Sequence, residues 1–356
     1  MPFQPDHKQL ASQDAATAHA LPARFYTHPE SLAAEQEVVF ARSWQLVGRA
    51  DQLLEPGDHI VDEIGGVPIL VTRDGENRLR GFHNVCRHRA GPLATCAGRG
   101  ARNFICRYHG WTYGLDGQLK GAPEMKDAAD FDPAGIRLPE IKVESWQGLV
   151  LAAVGDVPPL AEVLAGLDER MGERKLDELV FAKRVSYDIA CNWKVYVDNF
   201  LEGYHLPIVH PGLNKLLDYR SYRTELGDWH SLQWSPLERD DTANNFYGQG
   251  DALYYFIYPN TMLNILPGRL QTNRVIPTGL DTCRVEFDFY YAKEDTKRAE
   301  QDLEFSDEIQ QEDIDICEAV QRGLASGSYE AGRLNPKRET GVWHFHELVR
   351  RAYREA

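Results

Sequence analysis

Two cysteine–histidine pairs carry the most specific chemistry of the sequence. Cys86 and His88 are followed, after seventeen intervening residues, by Cys106 and His109. Two thiolates can hold one iron of a [2Fe–2S] cluster while two imidazoles hold the other, and the neutral nitrogen ligands raise the reduction potential. A structural zinc site is the alternative, but zinc sites usually group Cys with Cys and His with His. We therefore favour the iron–sulfur cluster, and we interpret Cys96, between the pairs, as a packed thiol.

A second group of residues is typical of a mononuclear metal site. His205 and His210 lie five residues apart, and on a straight helix their side chains would diverge by about 140°. Pro207 lies between them and would distort a helix, so that both rings could reach one metal. Two neutral imidazoles and one carboxylate form the facial triad of non-haem Fe(II) oxygenases, which leaves positions open for dioxygen and substrate.

The third ligand of this triad must come from elsewhere in the chain. The acidic stretch Glu312–Glu318 is the best source, with Asp313 as the first choice and Asp315 as the second. His344 and His346 form a competing histidine pair. We interpret that pair as helix packing, because histidines are often hydrogen-bonded core residues.

Three further residues beside the histidine pair are candidates for a catalytic role. Glu202 precedes His205 by three residues, so the two share a face if the segment is helical. Asn199 and Tyr204 lie in the same stretch.

The composition limits the classes of function. The chain has 356 residues and a formal net charge of -15, which argues against nucleic acid or an anionic membrane surface as the main partner. No apolar run is long enough to span a membrane, and the N-terminus lacks the features of a secretory signal. Six cysteines are too sparse for a disulfide framework and favour a reducing compartment. These features predict a soluble, cytoplasmic protein.

The pattern of elements predicts an α+β protein. Short β-type runs separated by turns at 44–155 indicate a small β-domain. The remainder, 156–356, mixes β-type runs with helices and indicates a second domain with an antiparallel sheet. A helical segment at 1–43 is expected to pack on that domain. The expected helices of the second domain are a connector at 157–176, a block at 192–220, and long helices at about 294–323 and 342–354.

Together these residues resemble the α subunit of Rieske-type ring-hydroxylating oxygenases, and the resemblance covers nearly the whole chain. The family pattern C-x-H-x17-C-x2-H is met by Cys86, His88, Cys106 and His109. The family's Asn-Trp-Lys lead-in, acidic bridge and Tyr-His-x4-His core match Asn192 to Lys194, Glu202, Tyr204, His205 and His210. The later Glu312-Asp313 segment resembles the family's C-terminal carboxylate, which favours Asp313.

The resemblance implies a catalytic domain of the helix-grip (START-like) type and a head-to-tail homotrimer. It also implies that the cluster of one subunit serves the iron of its neighbour. Glu202 would then bond His109 or His88 across the interface and His205 in its own chain. The chain has neither a G-x-G-x-x-G unit nor a plant-ferredoxin cysteine run. We therefore expect a separate NAD(P)H-dependent reductase of the flavin and iron–sulfur type, with or without a ferredoxin.

The substrate is less defined. The bridging acid, commonly Asp in ring dioxygenases, is Glu202 here, as in relatives that oxidise quaternary ammonium compounds. An aromatic compound is the other expectation. An aromatic cage would bind a methylammonium group by cation–π contact, although most of the candidate rings are expected to form sheet core and trimer interface. These candidates are Trp229, Trp234, Phe246, Tyr247, Tyr254, Tyr255, Phe256 and Tyr258.

Two other features leave alternatives open. The cluster loops are basic, and they are either a solvated surface or a docking patch for an acidic electron donor. Their arginines are Arg87, Arg89, Arg99, Arg102 and Arg107. A Rieske electron-transfer protein without oxygenase activity and a zinc-stabilised binding protein are the alternatives to an oxygenase. The electron-transfer protein would need no second iron site, and the zinc protein would be colourless.

Overall fold

The computed structural model describes residues 3–172, 174–213, 221–237, 250–293 and 299–356. The chain forms two compact units. The smaller unit is Phe40–Pro158, and the larger unit combines Met1–Val39 with Pro159–Ala356. Across the described residues, no helix is both long enough and apolar enough to cross a membrane.

The smaller unit is built from two antiparallel sheets. A six-stranded sheet has the order β1-β9-β8-β4-β3-β2, and a three-stranded sheet has the order β5-β6-β7. The strands are β1 Gln45–Arg49, β2 His59–Ile64, β3 Val67–Arg73, β4 Leu79–His83, β5 Phe104–Ile105, β6 Thr112–Tyr113, β7 Leu119–Gly121, β8 Glu140–Trp146 and β9 Leu149–Ala153. Short 3-10 helices lie at Phe40–Arg42, Ala50–Gln52 and Pro133–Gly135.

Strand β3 joins the two cores of the smaller unit. Ile69 and Val71 belong to one core, which also contains residues of β1, β2 and β9. Leu70, whose side chain alternates to the other face, packs with Phe82 in a second core. This second core also contains Cys86 and Cys106, so the packing of β3 supports the segments that carry the cysteines.

The larger unit is organised around one seven-stranded antiparallel sheet. Its order is β10-β16-β15-β14-β13-β12-β11. The strands are β10 Val180–Ile189, β11 Arg223–Leu226, β12 His230–Pro236, β13 Asp251–Ile257, β14 Thr261–Leu266, β15 Arg269–Pro277 and β16 Cys283–Tyr291. The helices are α1 His7–Leu10, α2 Arg24–Thr27, α3 Ser31–Val38, α4 Leu160–Val163, α5 Leu167–Met171, α6 Trp193–Phe200, α7 Leu206–Val209, α8 Ala299–Ala325 and α9 Thr340–Arg354, with a 3-10 helix at Leu176–Glu178.

Several predicted elements differ in the structure. The single helical block at 192–220 is wrong, because α6 ends at Phe200 and α7 begins only at Leu206; residues 214–220 lie outside the described residues. Likewise, the connector at 157–176 contains two short helices, with Gly166 (φ +81°) between them. Strand β12 was missed because its buried positions include polar residues. These are Ser231, Gln233 and Ser235.

The N-terminal segment is less helical than predicted, with three short helices joined by extended chain. Side chains of α9 hold its backbone. Arg350 is fully buried and donates to the carbonyls of Gln9 and His19, both at 3.2 Å. Trp343 Nε1 donates to Gln13 O at 2.9 Å. These bonds satisfy carbonyls that a helix would otherwise pair internally.

A buried ion pair joins this N-terminal segment to the start of α6. Lys194 Nζ lies 2.6 Å from Glu35 Oε1, and both side chains are fully buried. Trp193 Nε1 donates to the other carboxylate oxygen of Glu35 at 2.7 Å. The Asn-Trp-Lys lead-in therefore fixes α6 against α3, and α6 leads directly into the segment with the histidine pair.

We expect Lys194→Met to lower the free energy of unfolding by about 3–5 kcal/mol, because Glu35 would keep a buried charge without a partner. The double variant Glu35→Gln/Lys194→Met removes both charges and keeps an acceptor for Trp193, so it should recover most of the loss. Urea unfolding followed by circular dichroism measures both. A single variant as stable as the wild type would show that the pair does not anchor α6.

Candidate metal centres

The two Cys-His loops of the smaller unit have matching backbone turns. Ala90 N donates to Cys86 O at 3.0 Å, and Gly110 N donates to Cys106 O at 2.9 Å. Gly110 has φ +72°, a left-handed conformation that glycine adopts without steric cost. Each turn therefore presents a thiol at its start and an imidazole two or three residues later.

The two loops approach each other closely at their four predicted cluster ligands. The His88 and His109 rings have centroids 4.6 Å apart, and a Cβ built on Gly91 would lie 2.8 Å from Cys106 Sγ. Both thiols are buried while His109 is exposed. His88 Nδ1 is buried and has no hydrogen-bond partner among the described residues. This set of two thiols and two imidazoles fits a [2Fe–2S] cluster of the Rieske type. The unpartnered Nδ1 of His88 is consistent with a role as a cluster ligand.

Two neighbours of these loops were not found from the sequence. The Trp111 ring stacks on His88 at 4.7 Å and 7°. Tyr113 OH lies 3.4 Å from Cys86 Sγ and accepts a hydrogen bond from Arg87 N at 3.0 Å. Burial and Cys86 raise the pKa of the Tyr113 hydroxyl, which keeps it protonated and able to donate to a thiolate. Hydrogen bonds to cluster sulfurs tune the reduction potential.

Cys96 was wrongly interpreted as a packed thiol. It lies between the two pairs but is exposed. Its neighbours Ala97 to Gly100 form surface loop rather than core.

In the larger unit, His205, His210 and Asp313 converge. One ligand atom from each lies within 4.8 Å of the others, and this is the one such group of metal-ligating residues in the described parts of the chain. His210 Nε2 is 2.9 Å and His205 Nε2 is 3.9 Å from Asp313 Oδ1. The histidines flank α7, whose first turn contains Pro207. Asp315, the second choice, is exposed on α8.

In both histidines, Nδ1 lies within hydrogen-bond distance of a carboxylate oxygen. Glu202 Oε1 lies 2.6 Å from His205 Nδ1, and Glu312 Oε2 lies 2.6 Å from His210 Nδ1. Such contacts fix the tautomer and turn each Nε2 toward a metal. Burial disfavours the charged form of His210, but Asp313 and Glu312 raise its pKa overall. Sequence analysis identified Glu312 only as the neighbour of Asp313 and did not predict its contact with His210.

Asn199 and Tyr204, the other two predicted catalytic residues, contact the candidate iron site in different ways. Asn199 Nδ2 donates to Asp313 Oδ1 at 2.6 Å, so it orients that carboxylate. Tyr204 has a side chain that is 53% exposed; only its backbone N–H contacts the site, by donating to Glu202. His346 bonds Asp198 Oδ1 at 2.9 Å and accepts from Leu21 N at 3.2 Å, which is a packing role.

A cavity of about 120 Å³ adjoins the three converging residues. A row of directly paired residues on neighbouring strands forms its floor: Gln233, Tyr254, Asn264 and Gln271. Its aromatic lining is Tyr196, Phe200, Tyr222, Tyr254 and Phe287. A second cavity, of about 680 Å³, also reaches Asn199, Glu202 and His205.

Among the eight aromatic candidates, Tyr254 lines the small cavity. Phe256 and Tyr258 pack against Phe345 instead, and Tyr255 contacts His230. Phe246 and Tyr247 lie outside the described residues. Tyr196, Phe200, Tyr222 and Phe287 line the cavity but were not predicted.

Comparison with known proteins agrees with this architecture. A family model of the Rieske [2Fe–2S] domain matches residues 43–142, and a model of the ring hydroxylating alpha subunit (catalytic domain) matches residues 176–355. The chain therefore belongs to the Rieske-type ring-hydroxylating oxygenase family, as an α subunit. Its cofactors are a Rieske [2Fe–2S] cluster and a mononuclear iron that uses dioxygen.

The similar proteins include named monooxygenases. The chain is 36% identical to choline monooxygenase, chloroplastic, of Arabidopsis thaliana, over 92% of this chain and 81% of the relative. It is 30% identical to the carnitine monooxygenase oxygenase subunit of Escherichia coli (strain K12), over 95% of both chains. The quaternary ammonium Rieske monooxygenase CntA with L-carnitine superposes with a TM-score of 0.84 at 27% identity, over 96% of this chain and 97% of CntA.

We expect Gly91→Ala to lower the cluster content per chain, measured by visible absorbance against protein concentration. The new Cβ would displace Cys106 Sγ, and overpacking of this kind costs about 1–3 kcal/mol. Gly75→Ala is the matched control, because no atom of the described residues lies within 4 Å of a Cβ there. Full cluster content in Gly91→Ala would argue against the close approach of the two loops.

Proposed function

We propose that this chain is the terminal oxygenase component of a system that monooxygenates a small quaternary ammonium compound. The observation that carries the proposal is the convergence of His205, His210 and Asp313 beside a small cavity lined by aromatic rings. The names of the relatives, which are choline and carnitine monooxygenases, point to the same class of substrate.

Each centre has a proposed set of ligands. Cys86, His88, Cys106 and His109 would hold the cluster. His205, His210 and Asp313 would hold the iron, which activates dioxygen when it is bound. The remaining side chains position these ligands: Glu202 and Glu312 hold the imidazole Nδ1 protons, and Asn199 orients Asp313.

Recognition of a methylammonium group would come from the aromatic lining. Once iron is bound, its charge offsets the negative charges of Asp313 and Glu202, so these carboxylates alone would not attract a cation. Phe200, Tyr254 and Phe287 line the cavity, and aromatic faces bind quaternary ammonium groups by cation–π contact.

Electron supply would involve a neighbouring subunit. We propose a homotrimer, or a multiple of it, in which Glu202 lies between the cluster of one subunit and the iron of the next. Glu202 contacts His205 and lines the larger cavity, whose wall includes the exposed apolar side chains of Ile316 and Val320. A solved structure of CntA is described as giving insight into inter-subunit electron transfer in that protein.

A separate reductase would deliver the electrons from NAD(P)H. All five arginines of the cluster loops are exposed: Arg87, Arg89, Arg99, Arg102 and Arg107. Complementary charge speeds association, so we propose that these loops dock an acidic flavin and iron–sulfur reductase or its ferredoxin. We place the reaction in the cytoplasm, where NAD(P)H is available to that reductase.

The direct test is oxygen uptake with a surrogate reductase. Choline, carnitine and glycine betaine should stimulate uptake that is matched by an equal amount of oxidised product, whereas benzoate and other aromatic acids should not. Uptake coupled to product formation only with aromatic substrates would overturn the proposal. Product analysis is essential, because uncoupled uptake yields peroxide without oxidised substrate.

We predict that Glu202→Gln keeps the visible spectrum of the cluster but lowers turnover by about 10–100-fold, the usual cost of losing a carboxylate behind a ligand histidine. Glu308→Gln, the same change on an exposed part of α8, is the matched control and should behave as the wild type. Turnover of Glu202→Gln near the wild-type rate would refute the bridging role.

A further inference from the structure

Three buried cysteines of the larger unit lie close together, outside both proposed sets of metal ligands. The sulfur atoms of Cys191 and Cys283 are 3.9 Å apart, and Cys191 also interacts with the thiol of Cys317. All three side chains are buried. They do not belong to the groups of metal-ligating residues, within the described ranges, whose ligand atoms all lie within 4.8 Å of one another. The spacing therefore favours a reactive pair of thiols over a metal site.

The Cys191–Cys283 pair can close into a disulfide by a small movement of one partner. The sulfurs must approach by about 1.9 Å to reach the length of a disulfide bond. Cys283 is held on both sides, because it pairs with Ile189 on β10 and with Pro277 on β15. Cys191 lies beyond the end of β10 and before Asn192, the N-cap of α6. Cys191 is therefore the partner that moves.

The surroundings of Cys191 favour its thiolate. Hydrogen bonds from the thiols of Cys283 and Cys317 lower the pKa of Cys191, and the backbone N–H of Tyr196 adds to this effect, although burial opposes it. The contact with Cys191 and burial together raise the pKa of Cys283, which stays a thiol. The thiolate is the nucleophilic form of cysteine. The pair thus combines one nucleophilic sulfur with one thiol that can react in a second step.

A cavity connects the three cysteines to the candidate iron site. Cys317 lines the cavity of about 680 Å³ that also reaches Glu202 and His205. Uptake of dioxygen that is not coupled to product formation yields hydrogen peroxide in the same part of the molecule. Peroxide released beside His205 can therefore reach Cys317 and, next to it, Cys191.

We propose that hydrogen peroxide from uncoupled turnover converts Cys191 and Cys283 into a disulfide that slows the enzyme until the bond is reduced. The Cys191 sulfur attacks one peroxide oxygen, the O–O bond breaks, and a sulfenic acid and one water form. The Cys283 sulfur then attacks the Cys191 sulfur, the S–O bond breaks, and a second water leaves as the S–S bond forms. The two thiols lose two electrons and two protons, and one peroxide becomes two waters.

The disulfide would act on the iron site through the contact between α6 and α8. The backbone on either side of the moving cysteine is bonded to α8. Ala190 N donates to Glu318 Oε1 at 3.1 Å, and Asn192 N donates to Gln321 Oε1 at 3.0 Å. Because α8 also carries Asp313, drawing this segment toward β16 changes the packing that positions the iron ligands. Misplacements of about 1 Å can lower rates by up to about 100-fold.

The test exposes the wild-type holoenzyme to a small molar excess of hydrogen peroxide, at a dose that leaves the cluster absorbance unchanged. Free thiols are then alkylated and the protein is digested with trypsin. The three cysteines fall in separate peptides, which are 185–194, 275–284 and 299–322. Mass spectrometry should find 185–194 linked to 275–284. Oxygen uptake with the best quaternary ammonium substrate should fall by about tenfold or more, and dithiothreitol should reverse both changes.

Two variants separate the disulfide from other effects of peroxide. Cys283→Ala cannot form the disulfide and should keep its rate of oxygen uptake after the same exposure. Cys96→Ser removes an exposed cysteine instead, so it is the matched control and should be inactivated and rescued as the wild type is. Cys191→Ala removes the same linkage and replaces Cys283→Ala if that variant does not fold.

Several results would overturn the inference. Free thiols in both peptides after oxidation, or a linkage of 185–194 to 299–322 instead, would refute the proposed pair. A disulfide that leaves oxygen uptake unchanged, or an equal loss of uptake in Cys283→Ala, would refute its effect on turnover. The peptide result requires no substrate, so it is independent of whether the protein oxidises quaternary ammonium compounds.

Discussion

The candidate iron site depends on a geometric constraint, which is that two histidines five residues apart must turn the same nitrogen toward one carboxylate. A continuous helix cannot do this, because their side chains would diverge by about 140°. The chain ends α6 before Glu202 and begins the short α7 after His205, so each histidine lies at an end of α7. Glu202 and Glu312 then fix the orientation of the two imidazole rings through their Nδ1 atoms. The buried Lys194–Glu35 pair holds the start of α6.

The sheet provides the other side of the site. Because strands β12 to β15 pair without a register shift, Gln233, Tyr254, Asn264 and Gln271 form one continuous row across four strands. This row places a tyrosine ring and amide groups in the wall of the cavity that His205, His210 and Asp313 also line. The cavity therefore has aromatic and amide side chains in one wall.

Local sequence patterns predicted the features that depend on short spacing. The cluster ligands and His205 and His210 have such spacing, and the family resemblance singled out Asp313. The α+β class and the two-domain pattern of strands and helices followed from periodicity in the same way.

The remaining features depend on how distant segments meet. Glu312 is one residue from Asp313, but its contact with His210 requires the rotation of α8 about its axis to be known. The cavity residues Asn264 and Gln271 share a face only because of strand register, and β12 escaped prediction since its inward residues are polar. The N-terminal segment was predicted as helical because its partners, Arg350 and Trp343, lie more than 300 residues away.

The central claim is that one chain holds a cluster and a separate iron, and metal analysis tests it most directly. Iron and acid-labile sulfide should be measured on the wild type and on Asp313→Ala after anaerobic iron loading. The account predicts about three irons and about two sulfides per wild-type chain, with about one iron lost and the sulfide unchanged in the variant. A wild-type chain with two irons, or with zinc in place of iron, would contradict it.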